Sequence, residues 1–428
     1  MSELITRLRG MNDILPTETP RWQWAESILR DTLKQFAFNE IRLPILEKTD
    51  LFKRSIGDGT DVIEKEMYTF LDRNNESVSL RPEGTVGCVR AGLEHGLFYN
   101  QIQRLWYMGA NYRYERPQKG RYRQFHHCGA EVFGIETPDI DAELIALSAA
   151  ILERCGVLPL VSLQINSLGS SSARAHYRAI LVDYLSKNAD QLDEDSQRRL
   201  TTNPMRILDS KNPAMQSLIQ NAPKLMDHLD PESKEHFETL LGFLDAAGIR
   251  YDINPCLVRG LDYYSKTVFE WVTNALGAQG TVCAGGRYDG LAEQIGGKHT
   301  PALGFAIGVE RLILLIEQQQ PAFAPKNPDI TILSEGQEAL KQAFVLSTTL
   351  RDVFPDKVIL LHCGGGSLKN QFKKADKSGA ALAIIIGEEE SRNQSVSIKK
   401  LREYGEQVSM PKKELVHYLM QSVWMLQG

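Results

Sequence analysis

The architecture of the chain is most directly indicated by residues 104–134, RLWYMGANYRYERPQKGRYRQFHHCGAEVFG. Two alternating runs flank the turn Pro-Gln-Lys-Gly, which predicts two antiparallel strands joined by a loop. Because side chains alternate across a strand, Arg113 and Glu115 share one face of the first strand. One face of the second strand holds Phe125, His127, Gly129 and Glu131.

This hairpin is unusually basic. Five cations surround a single acid, Glu115, within 11 residues: Arg113, Arg116, Lys119, Arg121 and Arg123. A sheet face with arginines, an aromatic ring, a carboxylate and a bare glycine suits a polyanionic nucleotide beside a small polar ligand. The alternative is a solvated hairpin with a charged tip.

The composition is that of a folded protein with more than one domain. The chain has 428 residues, 42% of them hydrophobic, so two or three domains with ordinary cores are expected. The N-terminus, MSELITRLRGMND, has no apolar region of the signal-peptide type, and no apolar run approaches membrane-spanning length. We therefore expect no membrane partner.

The cysteines and the net charge narrow the function classes. The six cysteines lack CxxC spacing, which favours free thiols in a reducing cytoplasm over a zinc site or a disulfide framework. The net charge of −5 argues against wholesale coating of nucleic acid. From Lys326 onward the chain has 14 Lys and Arg and 12 Asp and Glu, a net charge of +2. The residues before Lys326 therefore have a net charge of −7. Any RNA contact must be local.

The region before the hairpin predicts a helix and a short strand. After Pro20, apolar residues recur at three- and four-residue steps in Trp22, Ala25, Leu29, Leu33 and Phe36. Thr19 is the expected N-cap of this helix. A strand from Ile41 to Leu46 follows, and its Pro44 cannot donate to a ladder. This strand is therefore expected at a sheet edge or at a boundary between chains.

The rest of the chain divides into three parts. Residues from about 165 to 250 form helical runs with polar joints, as expected for an inserted helical domain. Two strands, TVFEWVT and TVCAGG, joined by a Gly-containing turn, then precede ALGFAIGVERLILLIEQ, a strand that runs into a buried helix. QQQPAFAPKNPD, residues 318–329, is a predicted linker. Beyond it a βαβαβ pattern predicts a small α/β domain, so the domains are residues 1–325 and 326–428.

Phosphate binding would fall to side chains, because the chain has neither a Walker loop nor a dinucleotide fingerprint. Arginine suits this role, since its planar fork pairs bidentately with phosphate. The candidates are Arg113, Arg121, Arg259 and Arg311. Arg311 lies in the first turn of its predicted helix, where the dipole also favours anions. A surface salt bridge is the commoner role of any single arginine.

Three short peptides supply further polar groups. CLVRGLDYYS places Arg259 close to Tyr263 and Tyr264, and AGGRYDGL supplies glycines that permit close backbone approach to a ligand. RPEGT adds Glu83 and Thr85 after a strand-like SVSL. The tyrosines are also compatible with the rim of an ordinary core.

Together these segments resemble the signature motifs of class II aminoacyl-tRNA synthetases. The first helix with the strand around Pro44, the hairpin, and GFAIGVERL are similar to the three motifs of that class, in order. LVRGLDYYS and AGGRYDGL are similar to the two peptides specific to histidyl-tRNA synthetases. LVRGLDYY is very specific, and the resemblance extends over essentially the whole chain.

The resemblance implies an α+β catalytic core with an antiparallel sheet (the class II synthetase fold), a helical insertion and a C-terminal α/β anticodon-binding domain. It implies a cytoplasmic homodimer that ligates L-histidine to its tRNA. In the implied reaction the histidine carboxylate attacks the α-phosphate of ATP, giving histidyl-adenylate and pyrophosphate. The histidyl group then passes to the terminal adenosine of the tRNA. Mg²⁺ is implied with ATP, although the sequence does not identify its carboxylate ligands.

The family assigns roles to the nucleotide-binding residues by matching position. Arg113 would contact the α-phosphate and the histidine carboxylate. Glu115 would bind the adenine amino group, and Phe125 would stack on adenine. Arg121 and Arg311 would hold the outer phosphates.

The family also assigns the amino-acid site. Arg259 would stabilise the charge that grows at the α-phosphate, which makes it catalytic together with Arg113. Glu83, helped by Thr85, would bind the α-ammonium group. The ring would be bound by Glu131 and Tyr264, with Tyr263 beside them. A carboxylate opposite a phenol can hydrogen-bond both imidazole nitrogens, a polar selection that needs no editing domain.

The chain departs from the family at His127, where glutamine is usual. A neutral imidazole can give one hydrogen bond, but it lacks the geometry with which a carboxamide would contact histidine. A protonated imidazole would repel the substrate ammonium, so affinity for histidine is expected to fall below about pH 6.5, more than in His127→Gln.

The resemblance also indicates where tRNA binds. The family would use Arg116 and Gln118 to sense an extra 5′ guanosine near the acceptor end. The lysines of residues 369–377, on a predicted helix, would meet the anticodon arm, although a solvated helix face is the ordinary alternative.

Two other functions stay open at this point. One is a non-catalytic paralogue, the synthetase-like regulatory subunit of ATP phosphoribosyltransferase, which usually lacks the anticodon-binding domain and degrades the arginine set. The other is an RNA-binding regulator that uses the fold without its chemistry.

Overall fold

The computed structural model describes residues 4–57, 60–210, 212–277, 280–319, 323, 327–403 and 405–424. The chain forms two compact units, Met1–Phe323 and Ala324–Gly428. Half of the predicted linker, the predicted boundary at 325–326 and part of the turn between TVFEWVT and TVCAGG lie outside the described residues. No helix of the described residues is long and apolar enough to cross a membrane.

The described residues of the first unit form ten α-helices and eleven strands. The helices are α1 Thr19–Gln35, α2 Thr49–Ile56, α3 Thr85–Glu94, α4 Pro138–Arg154, α5 Ser171–Lys187, α6 Glu194–Thr202, α7 Gln216–Gln220, α8 Pro231–Ala246, α9 Leu291–Gln294 and α10 Val309–Gln319. The strands are β1 Asn39–Glu40, β2 Leu46–Lys48, β3 Thr69–Leu71, β4 Ser77–Leu80, β5 Gln103–Tyr112, β6 Gln124–Phe133, β7 Ser162–Ser167, β8 Asp252–Ile253, β9 Ser265–Val272, β10 Thr281–Arg287 and β11 Ala302–Gly308.

Eight of these strands form the main sheet, in the order β1-β5-β6-β11-β10-β9-β7-β8. All pairs are antiparallel except β1 with β5 and β7 with β8 at the two edges. The predicted antiparallel core, the hairpin and the strand that leads into α10 are therefore confirmed. The helix predicted after Pro20 is confirmed as α1. Its N-cap is Glu18 rather than the predicted Thr19, which is already helical.

The two faces of the sheet have different roles, and the alternation of side chains explains this division. Ala130 and Val132 of β6, Phe269 of β9 and Phe305 of β11 belong to a core that α1, α4 and α10 cover. The opposite face holds Glu131 and the neighbouring side chains of the candidate site.

The predicted strand Ile41–Leu46 is wrong. Residues 41–45 form no strand, and the chain instead has the short strands β1 and β2 on either side of them. Pro44, which lacks an N–H, lies in the connection between the two sheets rather than in a ladder. Strand β2 joins a separate three-stranded antiparallel sheet in the order β2-β4-β3.

The helices between β7 and β9 divide between two cores. Leu181 and Leu185 of α5 and Leu218 of α7 pack in a cluster that also contains Val258 of the segment before β9. Helix α8, by contrast, packs on α4 and contributes to the core of the main sheet. The cluster of α5 and α7 also contains Leu105 and Tyr107 of β5, and an inserted helical domain at about 165–250 stays a prediction.

The second unit has a five-stranded sheet in the order β13-β12-β14-β15-β16. Its elements are β12 Ile330–Ser334, α11 Gln337–Val353, β13 Ile359–Leu361, α12 Leu368–Lys377, β14 Leu382–Ile386, α13 Glu388–Asn393, β15 Ser395–Lys400, β16 Val408–Pro411 and α14 Lys412–Tyr418. The predicted parallel βαβαβ arrangement is confirmed for β12, β13 and β14, whereas the sequence interpretation missed the antiparallel strands β15 and β16.

Candidate active site

A cleft of about 260 Å³ opens on the face of the main sheet opposite α1 and α4. It brings together nearly all of the residues predicted for the site. Those that line it are Glu83, Thr85, Arg113, Glu115, Arg121, Phe125, His127, Arg259, Tyr263, Tyr264 and Arg311. Glu131 does not line the cleft, although it lies directly beneath the wall formed by Gly304.

The hairpin supplies one wall. Arg113 follows the end of β5, and its Nε donates to the carbonyl of Pro82 at 3.0 Å. Its guanidinium lies over the ring of Phe125, 5.4 Å from the centroid. A cation and a flat aromatic face are thus adjacent, which suits a phosphate next to a stacked base.

Beyond Arg113 the hairpin narrows to a tight tip. Gln118 and Arg121 exchange backbone hydrogen bonds of 3.0 and 2.9 Å, and Gly120 has a φ of +72° that favours glycine. Arg116 and Gln118 are exposed at this tip. The structure therefore leaves both side chains outside the cleft and open to a large partner.

Arg121 is held by carboxylates in this structure. Its Nε donates to Glu115, and its Nη2 lies 3.5 Å from Glu66 Oε1. The two residues predicted for opposite ends of ATP, Glu115 and Arg121, are thus paired with each other.

Arg259 approaches from the segment before β9. It forms an ion pair with Glu270 of β9 and lies 5.3 Å from the centroid of the Tyr264 ring. Burial lowers the pKa of the guanidinium, but Glu270, Tyr264 and Tyr263 together outweigh burial and the net pKa is raised. The sequence interpretation missed Glu270, although a single carboxylate within the apolar run TVFEWVT was a signal for it. Glu270 also accepts from Thr281 Oγ1 at 2.9 Å.

Arg311 lies in the first turn of α10, as predicted. Its Nε donates to the Gly120 carbonyl at 2.9 Å and its Nη1 to the Thr281 carbonyl at 2.5 Å. Burial, together with the neighbouring cations Arg113 and Arg121, lowers its pKa to about 10. Arg113, Arg121 and Arg311 are thus close enough to repel one another, and a polyanion is a ligand that would relieve this repulsion.

Glu310 is a second acid that the sequence interpretation missed. It lines the cleft, and the backbone N–H of His126 donates to both of its oxygens at 2.9 Å. The ring Nδ1 of His126 lies 2.8 Å from Oε1. This carboxylate is therefore fixed between β6 and α10.

Glu83 lies just before α3, with 4% of its surface exposed. The backbone N–H groups of Thr85 and Val86 each donate to its carboxylate at 2.8 Å. Burial raises its pKa, although these bonds and Arg113 oppose the shift. A carboxylate in this setting is a natural partner for a ligand's ammonium group.

Glu131 has three hydroxyl donors. Thr85 Oγ1 and the Tyr107 hydroxyl donate to its Oε1 at 2.8 and 2.9 Å, and the Tyr288 hydroxyl donates to its Oε2. Tyr107 and Tyr288 were missed, because nothing in their local sequence shows that strands far apart in the chain aim both hydroxyls at one carboxylate. The rings of Tyr264 and Tyr288 are 6.3 Å apart, so the predicted phenol lies next to this cluster.

His127 corrects the pH expectation. Burial, with Arg113 and Arg311 nearby, lowers its pKa well below the ordinary value for histidine. The ring is therefore neutral at pH 6.5, and the predicted loss of affinity at that pH through His127 is wrong. Its buried Nδ1 has no hydrogen-bond partner among the described residues.

Arg287, from the peptide AGGRYDGL, has a structural role. It is fully buried, and its Nη2 lies 2.7 Å from Asp141 Oδ2. Of that peptide, Ala284 lines the cleft and Tyr288 donates its hydroxyl to Glu131. The four arginines of the cleft remain those predicted.

Comparison with known proteins identifies the family. A model described as histidyl-tRNA synthetase matches residues 10–312. The chain belongs to the histidyl-tRNA synthetase family. It is a histidine–tRNA ligase, which aminoacylates tRNA with histidine, and the family implies ATP as a substrate. A second model, described as an anticodon binding domain, matches residues 330–422, within the second compact unit.

Solved structures agree with the family assignment. The apo histidyl-tRNA synthetase of S. aureus is 35% identical, with a TM-score of 0.80 over 97% of this chain and 99% of that one. The class II synthetase fold is thereby shown. A histidyl-tRNA synthetase from Nostoc sp. PCC 7120 is 20% identical, with a TM-score of 0.66 over 97% of this chain and 99% of that one.

A Bacillus halodurans protein described as an ATP phosphoribosyltransferase regulatory subunit/histidyl-tRNA synthetase is also similar. It is 20% identical, with a TM-score of 0.64 over 90% of this chain and 99% of that one. At this identity it shows the shared fold alone, as does the Nostoc protein. The ligase is therefore the supported function among the three that the sequence left open.

Proposed function

We propose that the cleft binds ATP and histidine side by side, with separate arginines holding the triphosphate. The single observation that supports this arrangement is the convergence of Arg113, Arg121, Arg259 and Arg311 on one cleft. Phe125 stacks on the adenine ring, and Glu115 accepts from its amino group. Arg121 and Arg311 hold the outer phosphates.

Arg113 and Arg259 act on the reacting centre. The histidine carboxylate attacks the α-phosphorus, the bond to the bridging oxygen breaks, and pyrophosphate leaves with that oxygen. Negative charge grows on the α-phosphate oxygens during this step. Two guanidinium groups fixed by Pro82, Glu270 and Tyr264 are oriented in advance to stabilise it. In the second step the terminal ribose hydroxyl attacks the acyl carbon, and AMP leaves.

Histidine is held at both ends. Glu83, with Thr85, binds the α-ammonium group, and the imidazole lies between Glu131 and Tyr264 with Tyr263 beside it. The burial of the two carboxylates supports this assignment, because each is 4% exposed or less and would gain a polar partner. His127 faces the same cleft as a neutral ring.

Magnesium enters with ATP in this proposal. No group of three or more His, Cys, Asp or Glu side chains that could hold a metal occurs among the described residues. This agrees with an ion held mainly by phosphates and water, with one or two carboxylates. Four acids line the cleft; Glu83 and Glu115 have the ligand partners proposed above, which leaves Glu270 and Glu310 to contact the ion.

Two regions are proposed to bind tRNA. Arg116 and Gln118, exposed at the hairpin tip, sense the 5′ end near the acceptor. The exposed lysines of α12 meet the anticodon arm: Lys369, Lys373, Lys374 and Lys377. The match of residues 330–422 to an anticodon-binding domain supports the second assignment.

The protein is further proposed to be a cytoplasmic homodimer. Strands β2 and β3 are the outer strands of the three-stranded sheet, and they expose Leu46, Phe70 and Leu71 at 43%, 49% and 63%. Such exposed apolar edges favour pairing with another chain. The free thiols agree with a reducing compartment.

Histidine-dependent exchange of pyrophosphate into ATP tests the catalytic proposal. The native chain should support exchange, and Arg259→Ala should lose about 10²–10³ in rate, as for one donor to a developing anion. Arg104→Ala, which removes an ion pair with Glu143 away from the cleft, is the matched control and should keep the native rate. An Arg259→Ala variant as active as this control would contradict the proposal.

A further inference from the structure

The hydroxyl cluster around Glu131 is built into the backbone. A Cβ atom at Gly84 or at Gly129 would collide with the ring of Tyr107, and one at Gly304 would collide with the carboxylate of Glu131. Three separate segments therefore have glycine where this cluster needs space. Packing of this kind fixes both the position and the direction of the carboxylate.

No cation neutralises this carboxylate. Among the described residues, no lysine, arginine or histidine forms an ion pair with Glu131, and its hydrogen bonds come from Thr85, Tyr107 and Tyr288. A carboxylate has about four acceptor positions, so three hydroxyls leave about one. The wall next to it is Gly304, which lines the cleft and has no side chain to cover that position.

We infer that Tyr107 and Tyr288 are positioning residues that, with Thr85, hold Glu131 as an ionised acceptor for one ring N–H of histidine. This inference rests on the proposed role of Glu131 and specifies how the protein maintains it. The tyrosines do not touch the reacting atoms. They determine selectivity for histidine, because a ligand ring without an N–H group would leave the oriented carboxylate of Glu131 without a hydrogen-bond donor.

The protonation of Glu131 in the empty protein depends on pH. Burial raises the pKa of Glu131 to about 8, and the hydroxyl donors oppose that shift. The titratable groups around it are Glu83, Cys88, Tyr107, Tyr263, Tyr264 and Tyr288. Burial raises the pKa of Tyr107 and Tyr288 well above 10, so both remain donors up to pH 9. At pH 7 the empty protein keeps a proton on Glu131, whereas the histidine complex holds it ionised.

The test is Tyr288→Phe in the pyrophosphate exchange assay. At pH 7 the KM for histidine should rise about tenfold or more, since a hydrogen bond to a charged group is lost in the complex. The KM for ATP should not change. At pH 9 the deficit should shrink towards the native value. At pH 9 the empty native protein is ionised and the empty variant is ionised to a larger extent than at pH 7, so most of the difference cancels.

The matched control is Tyr177→Phe. Tyr177 is fully buried in α5, and its hydroxyl donates to the Pro223 carbonyl at 2.7 Å, away from the cleft. This variant should lose stability like Tyr288→Phe but keep the native KM for histidine at both pH values. Should Tyr288→Phe fold poorly, Tyr107→Phe provides the same comparison.

The variant Glu131→Gln distinguishes the positioning role of the tyrosines from the proposed role of Glu131 in binding the ring. If it raises the KM for histidine while Tyr288→Phe and Tyr107→Phe do not, the positioning role is overturned and the proposed role of Glu131 survives. An equal rise at pH 7 and pH 9 in the tyrosine variants overturns the positioning role as well. If Glu131→Gln also leaves the KM unchanged, Glu131 does not bind the ring and both fail.

Discussion

Arg121 is already occupied by carboxylates in this structure. In the proposed complex Glu115 and Glu66 would compete with phosphate oxygens for this guanidinium. The Glu66 segment is also tied to the hairpin, because the backbone N–H of Tyr114 donates to the Glu66 carbonyl at 2.6 Å. The empty protein therefore stabilises a hairpin that competes with nucleotide binding.

Removing one competitor should strengthen ATP binding. In Glu66→Gln we expect the KM for ATP to fall about two- to fivefold, as for a partly exposed ion pair, with kcat and the KM for histidine unchanged. Glu64→Gln neutralises an exposed acid of the same segment that does not contact Arg121 and should behave like the native chain. A KM for ATP that stays constant or rises in Glu66→Gln would refute the competition.

The sequence allowed a prediction of which residues line the cleft, but not of the side chains that these residues contact in the structure. Arg113, Phe125 and Arg259 could be predicted because period-two alternation and short motifs are local. The Arg121–Glu66 pair and the contacts of Tyr107 and Tyr288 with Glu131 join residues at least 24 positions apart in the chain. No local pattern encodes such contacts, since they depend on which strands become neighbours in the sheet.

Strands and helices with long, regular patterns of apolar residues were predicted well, whereas short strands were not. The hairpin and α10 follow from alternation and from a run of apolar residues at helical spacing. Strand Ile41–Leu46 failed because a short apolar run does not distinguish a strand from a connection between two sheets. Strands β15 and β16 were missed for a related reason, because the alternation of polar and apolar residues extends over no more than five residues in each.

The outer strand β3 makes the proposed dimer testable. The native chain should sediment as a dimer, and Phe70→Glu should shift it towards monomer, since a buried unpaired charge opposes association. Phe243→Glu is the matched control, because Phe243 is 45% exposed on α8 and its replacement should leave the dimer intact. A native monomer, or a Phe70→Glu dimer of native strength, would exclude this edge as the interface.

At the scale of the whole molecule, the two units have separate chemistry. Every arginine of the cleft lies in Met1–Phe323, and that part of the chain carries the larger negative charge. The second unit has its own apolar core and a slightly positive balance. Amino-acid activation and tRNA recognition should therefore respond to different substitutions.

The exposed lysines of α12 allow this separation to be measured. Lys369, Lys373 and Lys377 recur every four residues on one side of the helix, so their joint replacement by Glu reverses one continuous patch. We expect kcat/KM for tRNA in aminoacylation to fall at least tenfold and to depend less on salt, because fewer counterions are released. Pyrophosphate exchange, which needs no tRNA, should keep its native rate.

A control charge reversal in the same unit completes the experiment. Lys341→Glu changes an exposed lysine of α11, so a general effect of net charge would appear there as well. If the triple variant aminoacylates tRNA as efficiently as Lys341→Glu, the α12 lysines are only a solvated face. If exchange falls together with aminoacylation, the substitutions disturb the catalytic unit, and the two functions are not separable in this way.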